Sequence, residues 1–200
     1  LDAVAVEQAL RALASGDARE EEVAGGCSLF VEPLMEAPEL VVVGAGHVGQ
    51  ALARVAPAAG FSVSVLDDRA SFANRRRLPD ARHVVVADPR VALAELPPRR
   101  ARAIVLVTRG HRLDAECLRI ALGLEWIYLG MIGSRRRVRR ILEQLAAEGA
   151  DAEGLARVHA PIGLDIGAET PGEIAVAIVA ELVNVRRRGR AAGASLSRRG

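Results

Sequence analysis

Two rhythms of apolar residues alternate along this sequence. Short, nearly continuous runs occur at Leu40 to Val43, Ser62 to Leu66, His83 to Ala87, Ala103 to Val107 and Trp126 to Leu129. Between them apolar residues return every three or four positions, as Val48, Ala51, Leu52 and Val55, as Leu113, Cys117, Ile120, Ala121 and Leu124, and as Val138, Ile141, Leu142 and Leu145. A short helix over Val91 to Leu96 follows Asp88, whose side chain suits an N-cap. A run without polar alternation is the mark of a strand covered on both faces, and a return every three to four residues is one face of a helix. Strand and helix thus alternate five times, which predicts an α/β doubly wound parallel sheet with right-handed crossovers and ligands at the carboxyl ends of its strands.

The flanking segments read differently. Val6, Leu10 and Leu13 predict a modest amphipathic helix over residues 1–15, closed by Gly16. Asp17 to Ala24 is acidic and reads as a linker, and Cys27 to Leu34 reads as a strand ended by Pro33. Residues 1–38 thus form a short helix and strand appendage, the expected remnant of a truncated domain, ahead of a main domain over 39–187. Pro161 to Gly167 is a loop without periodicity. Thr170-Pro171-Gly172-Glu173 then predicts a capping box with proline at the first helical position, opening a helix to about Val185 that is apolar nearly all round and therefore buried. Arg186 to Gly200 holds six arginines and no acid, and residues 188–200 read as a basic flexible tail.

Chemistry concentrates where the first main strand ends. Gly44-Ala45-Gly46-His47-Val48-Gly49 places glycines at the spacing of a strand-turn-helix that receives a pyrophosphate. In that reading Gly44 turns the chain out of the strand, Gly46 lets backbone approach the anion, and Gly49 lets helix and strand pack closely. Asp67 follows 18 positions after Gly49, at the end of the next strand, where a carboxylate accepts from a ribose hydroxyl. The main domain therefore reads as Rossmann-like. Asp67 beside Asp68 favours NAD over NADP, an inference that Arg69 weakens. His47 is an unusual residue for the turn, and reads either as a cofactor contact or as a surface histidine that only touches phosphate. Further strand ends bring Thr108-Arg109-Gly110-His111 with Asp114, which either shares a face with His111 or caps the helix. They also bring Gly130-Met131-Ile132-Gly133-Ser134, in which Ser134 caps a helix and offers a second anion site.

Composition narrows the remaining classes. All 27 basic residues are arginine, so no lysine base, Schiff base or Walker A loop exists here. With net charge +2 and an alanine- and glycine-rich composition, the arginine runs reflect compositional bias and not a nucleic-acid surface. Cys27 and Cys117 stand far apart without a CxxC partner. Cys117 is expected in the core, whereas Cys27 is either an exposed thiol or a buried strand cysteine. The sequence contains no metal cluster, no triad elbow, no signal peptide and no apolar run long enough for a membrane span. A cytoplasmic location is expected. The chain starts at Leu1 and not at methionine, which leaves room for an upstream segment.

Several of these segments together have a specific likeness. The turn from Gly44 to Gly49 with Asp67-Asp68-Arg69, the Thr108 to His111 segment with Asp114, Tyr128-Leu129-Gly130-Met131-Ile132-Gly133-Ser134-Arg135, and Ala160-Pro161-Ile162-Gly163-Leu164-Asp165-Ile166-Gly167-Ala168-Glu169-Thr170-Pro171 resemble the XdhC/CoxI family of xanthine dehydrogenase accessory proteins. The likeness runs over about residues 25 to 187. It implies a maturation factor and not an enzyme, one that binds molybdenum cofactor (molybdopterin) and assists its sulfuration and insertion into a xanthine dehydrogenase-type molybdenum hydroxylase. The implied partners are that molybdoenzyme and a cysteine desulfurase, with a second copy of the chain as a homodimer also expected. The cofactor-binding residues would be Gly44, Gly46, His47, Gly49, Asp67, Arg69, Thr108, His111, Gly130, Gly133 and Ser134. Members carry a further N-terminal domain with cysteine-glycine motifs, whereas here Cys27 follows Gly25-Gly26. The alternatives are an NAD(P)-dependent oxidoreductase using the same crevice, favoured by Asp67, and a nucleotide-sensing module without chemistry.

Overall fold

The computed structural model of the chain describes residues 2–23, 27–34, 36–98 and 101–188. It divides into two compact units at residues 37 and 38.

In the first unit, helix α1 (Asp2–Ser15) accompanies an antiparallel pair, β1 (Arg19–Val23) and β2 (Cys27–Val31), with Arg19 opposite Val31 and Val23 opposite Cys27. The acidic stretch expected as a linker is therefore a strand. Glu20, Glu21 and Glu22 have no apolar alternation to announce it, and their extended backbone is held by pairing with Phe30, Leu29 and Ser28. The helix also differs from its expected face: Val6, Leu10 and Leu13 are exposed, and the buried positions are Gln8 and Ala12, one turn apart.

The second unit runs β3 (Glu39–Val43), α2 (His47–Ala58), β4 (Ser62–Asp67), β5 (His83–Val86), α3 (Pro89–Ala94), β6 (Arg102–Leu106), α4 (His111–Leu122), β7 (Tyr128–Met131), α5 (Arg135–Ala147), α6 (Ala152–Ala156) and α7 (Pro171–Arg188). Its sheet is parallel throughout, in the order β5-β4-β3-β6-β7. The order reverses between β3 and β6, so the crevice outside their carboxyl ends is the place for a ligand in a sheet of this kind.

Alternate side chains leave opposite faces of each strand, and two cores follow. Leu40, Val42, Val63, Val65, Ala103 and Val105 pack beneath α2 and α7, while Val41, Val43, Leu66, Ile104, Leu106 and Met131 pack beneath α4 and α5. The Thr170 capping box forms as expected: the Thr170 N–H donates to Glu173 Oε2 at 2.8 Å and the Glu173 N–H to Thr170 Oγ1 at 3.3 Å. Helix α7 is less uniformly buried than its composition predicts. Ala175, Ile178, Val179 and Leu182 are inside, whereas Val176 faces out.

The short helix α6 had no periodic signal, being only five residues long. No helix among the described residues is long and apolar enough to cross a membrane. The basic tail expected over 188–200 lies, from residue 189 on, outside the described residues, as do Gly25 and Gly26.

Candidate functional site

The glycine turn divides its labour as its spacing predicts, for reasons that are steric. Gly44 has φ +114°, and a Cβ there would stand 2.6 Å from the Val107 carbonyl oxygen. A Cβ on Gly49 would stand 1.9 Å from the Gly44 carbonyl oxygen, so both positions exclude any other residue. A Cβ on Gly46 would meet nothing within 4 Å. Its backbone borders open space at the start of α2, where unpaired N–H groups and the helix dipole favour an anion. His47 is the first residue of that helix and is exposed.

Asp67 sits at the end of β4 and reaches under this turn. Its carboxylate accepts four hydrogen bonds: from the Ala45 N–H at 2.7 Å, from the Arg69 N–H at 3.0 Å, and from Arg69 Nε and Nη2, both at 2.8 Å. Burial alone would raise its pKa, but the Arg69 side chain and the two backbone donors outweigh burial and hold it below the ordinary carboxylate value. Asp67 thus fixes the turn and Arg69 together, and its acceptor positions are already taken.

Across the switch point, a pocket of about 120 Å³ is lined by Gly44, Asp67, Asp68, Arg69, Thr108 and Arg109 among others. Thr108 Oγ1 donates to Asp114 Oδ1, and Arg137 of α5 donates to Asp114 Oδ2. Asp114 is fully buried, so it neither caps α4, whose N-cap is Gly110, nor lies on an exposed face. It ties the end of β6 to the start of α5. His111 opens α4, but its side chain lies outside the described residues.

Ser134 is the N-cap of α5 and accepts from the Arg137 N–H at 3.3 Å. With Gly133 it is partly or fully exposed after β7, connected to the crevice through Arg137, Asp114 and Thr108. Gly130 is placed differently. It is buried in β7, where a Cβ would stand 2.5 Å from Ile162 Cδ1 and 2.9 Å from Tyr128 Cε1, so packing alone requires glycine there. Cys117 is in the core as expected, its thiol pushed up to about 12 first by burial and then by the charge of Asp114. Cys27 is exposed on β2. Among the described residues no group of side chains could hold a metal ion.

A buried polar cluster went unread in the sequence. Glu181 of α7 accepts from Tyr128 Oη at 2.5 Å and from the Gly163 N–H at 2.8 Å, and lies 3.3 Å from His159 Nδ1, whose ring stacks on Tyr128. Its one signal was a carboxylate set among apolar residues in the body of α7, which demands buried partners. Burial, then the Glu181 charge, raises the Tyr128 pKa well above its ordinary value.

The XdhC Rossmann domain family model matches residues 40–182, from the first strand of the second unit to the last helix. The chain belongs to this family. Relatives of the chain include the uncharacterized protein YqeB of Escherichia coli (strain K12), 35% identical over 170 residues that cover 85% of this chain and 31% of that protein. A probable xanthine dehydrogenase subunit from Bacillus subtilis (strain 168) is 31% identical over 161 residues, 80% of this chain and 47% of that protein. Among solved structures, a xanthine dehydrogenase (BH1974) from Bacillus halodurans superposes with a TM-score of 0.69 at 29% identity, covering 85% of this chain and 48% of that one. The chain spans less than half the length of each of these three proteins.

Proposed function

We propose that this chain is the cofactor-handling part of a maturation factor that binds molybdenum cofactor in the crevice and assists its sulfuration and insertion into a xanthine dehydrogenase-type molybdenum hydroxylase. The observation that carries the reading is the family match over residues 40–182, which takes in every strand end bordering the crevice. Relatives named for xanthine dehydrogenase support the choice of client. A cysteine desulfurase as sulfur donor, a homodimeric state and a cytoplasmic setting belong to the same proposal.

The residues fit a phosphorylated pterin. A Cβ-sized space stands open beside the Gly46 backbone, and Ser134 with Gly133 offers a second helix start for anionic or polar groups. His47 is exposed next to the first of these. When bound, the cofactor supplies the molybdenum centre at which the client's redox chemistry occurs. The chain's own part is to bind it, orient it and release it: Gly46 and His47 would hold an anionic end, while Thr108, fixed by Asp114, would border the middle of the crevice.

The test is a titration, under reducing conditions, with molybdenum cofactor released from a molybdenum hydroxylase, followed by transfer to the cofactor-free hydroxylase. Tight binding and activation of the client are expected. His47→Ala should weaken binding by roughly tenfold, about 1.4 kcal/mol, with an unchanged melting temperature. The glycine turn also suits the second reading, an NAD(P)-dependent oxidoreductase. Turnover of NADH or NADPH with a carbonyl substrate, without cofactor binding, would overturn the first.

A further inference from the structure

Three guanidinium groups surround one ring at the β4 side of the crevice. The Arg69 Cζ lies 3.7 Å, the Arg77 Cζ 4.7 Å and the Arg109 Cζ 5.6 Å from the centroid of Phe72. These residues come from separate places, Arg69 and Arg77 from the irregular segment after β4, and Arg109 from the loop after β6. Each guanidinium gains from the ring face, but like charges gathered this closely repel one another unless something negative balances them. The nearest acids do so only in part. Asp67 is consumed by Arg69, and Asp68 is 63% exposed at 3.9 Å from Arg69 Nε. The Arg77 guanidinium donates to the neutral Gln50 Oε1, at 3.2 Å. Arg69 Nη1 and Arg77 Nε are both buried donors without a hydrogen-bond partner among the described residues. Ser71, in the same segment, is exposed.

The position of this cluster defines what it can meet. In a parallel sheet that reverses between β3 and β6, the residue closing β4 lies beside the adenosine ribose of a bound dinucleotide, and that residue is Asp67. A free carboxylate there selects a ribose diol and repels a phosphate. Here all the acceptor positions of Asp67 are filled by Ala45 and Arg69, and the pocket is lined by the two guanidinium groups of Arg69 and Arg109 against the single exposed carboxylate of Asp68.

We propose that the pocket between Arg69 and Arg109, with Arg77 stacked on the same Phe72 ring as both, is a subsite for a nucleotide carrying a phosphomonoester on its adenosine ribose, NADP and not NAD. This reverses the preference that Asp67 and Asp68 suggest in the sequence. A phosphomonoester brings about 1.5 to 2 negative charges at pH 7 and three acceptor oxygens, which suits planar guanidinium donors better than it suits a point charge. The site overlaps the pterin reading at the glycine turn, since a nucleotide whose ribose lies over β4 brings its pyrophosphate to Gly46 and His47, but it leaves the Ser134 side of the crevice untouched and its own assay needs no pterin.

The experiment is calorimetric titration of the full chain with 2′,5′-ADP, 5′-AMP and 5′-ADP. The last has the phosphate count of the first but none on the ribose 2′ position. The expected result is that 2′,5′-ADP binds at least about tenfold more tightly than either of the others, with an affinity that falls as salt rises. Arg77→Ala and Arg109→Ala, neither of which touches Asp67, should each lower that ratio severalfold. Arg69→Ala should go further and bring 5′-AMP to parity, because it frees the Asp67 carboxylate for a ribose diol. Circular dichroism confirms that each variant is folded, and the Arg77 and Arg109 variants carry the test if the Arg69 variant is not. Equal binding of 2′,5′-ADP and 5′-ADP, no binding of 2′,5′-ADP, or a ratio indifferent to Arg77 and Arg109 would overturn the proposal while leaving cofactor delivery to its own assay.

Discussion

At the scale of single residues, the glycine turn separates two kinds of constraint that look identical in the sequence. Gly49→Ala drives a methyl to 1.9 Å from a backbone oxygen and should cost about 3 kcal/mol, the upper range for overpacking. Gly46→Ala meets no protein atom and should cost less than about 1 kcal/mol, the difference between glycine and alanine at an N-cap, while abolishing anion binding. Urea midpoints of the two variants check the first contrast, and cofactor titration of Gly46→Ala checks the second. Asp67 gives a pH signature. Its folded pKa lies below the ordinary 3.8, so its contribution to stability is present at neutral pH and is lost as pH falls below about 4 towards the folded value. Asp67→Asn should lose stability at pH 7 and show a shallower acid limb than the parent in denaturant titrations run at successive pH values. Much of this was legible, because the spacing of glycines and the carboxylate after β4 are linear patterns. The four bonds that occupy Asp67 were not, since they depend on how Arg69 folds back over a strand end.

At the scale of elements, the helices and strands that are long and periodic could be read directly from the chain, and those held by partners could not. The central runs of the main sheet each bury both faces and so carry a continuous apolar signature. Strand β1 is polar and exists by pairing with β2, and α6 is too short to show a period. The tie between α7 and the segment after α6 was hidden for another reason. Glu181 is a single residue whose meaning depends on Tyr128, His159 and Gly163, all distant in sequence. Glu181→Ala should strand the Tyr128 hydroxyl and the Gly163 N–H in the interior and cost about 3 kcal/mol. Tyr128→Phe, which removes only one donor, should cost less. Thermal unfolding of the two variants measures the difference, and Gly163 amide exchange should accelerate in the first more than in the second.

At the scale of the whole molecule, both apolar cores draw all their members from Leu40 onward. Residues 38–188 expressed alone should therefore fold cooperatively, with one sigmoidal melting transition by circular dichroism, and should retain whatever ligand the crevice holds. A broad, non-cooperative melt would show that the first unit is needed to complete the second. The edges of the sheet differ in kind. Beyond β7, the chain itself supplies the next partner: Met131 N–H donates to the His159 carbonyl at 3.0 Å, His159 N–H to the Leu129 carbonyl at 2.8 Å, and Ile162 N–H to the Met131 carbonyl at 3.1 Å. Beyond β5 no strand follows in the sheet order among the described residues, and Val85 and Val86 are exposed there. In the language of valence, the sheet formed by the described residues is monofunctional. For the described residues, edge-to-edge pairing of two molecules through β5 consumes the open bond on each, so strand addition in this sheet terminates at a pair and does not propagate into a fibre.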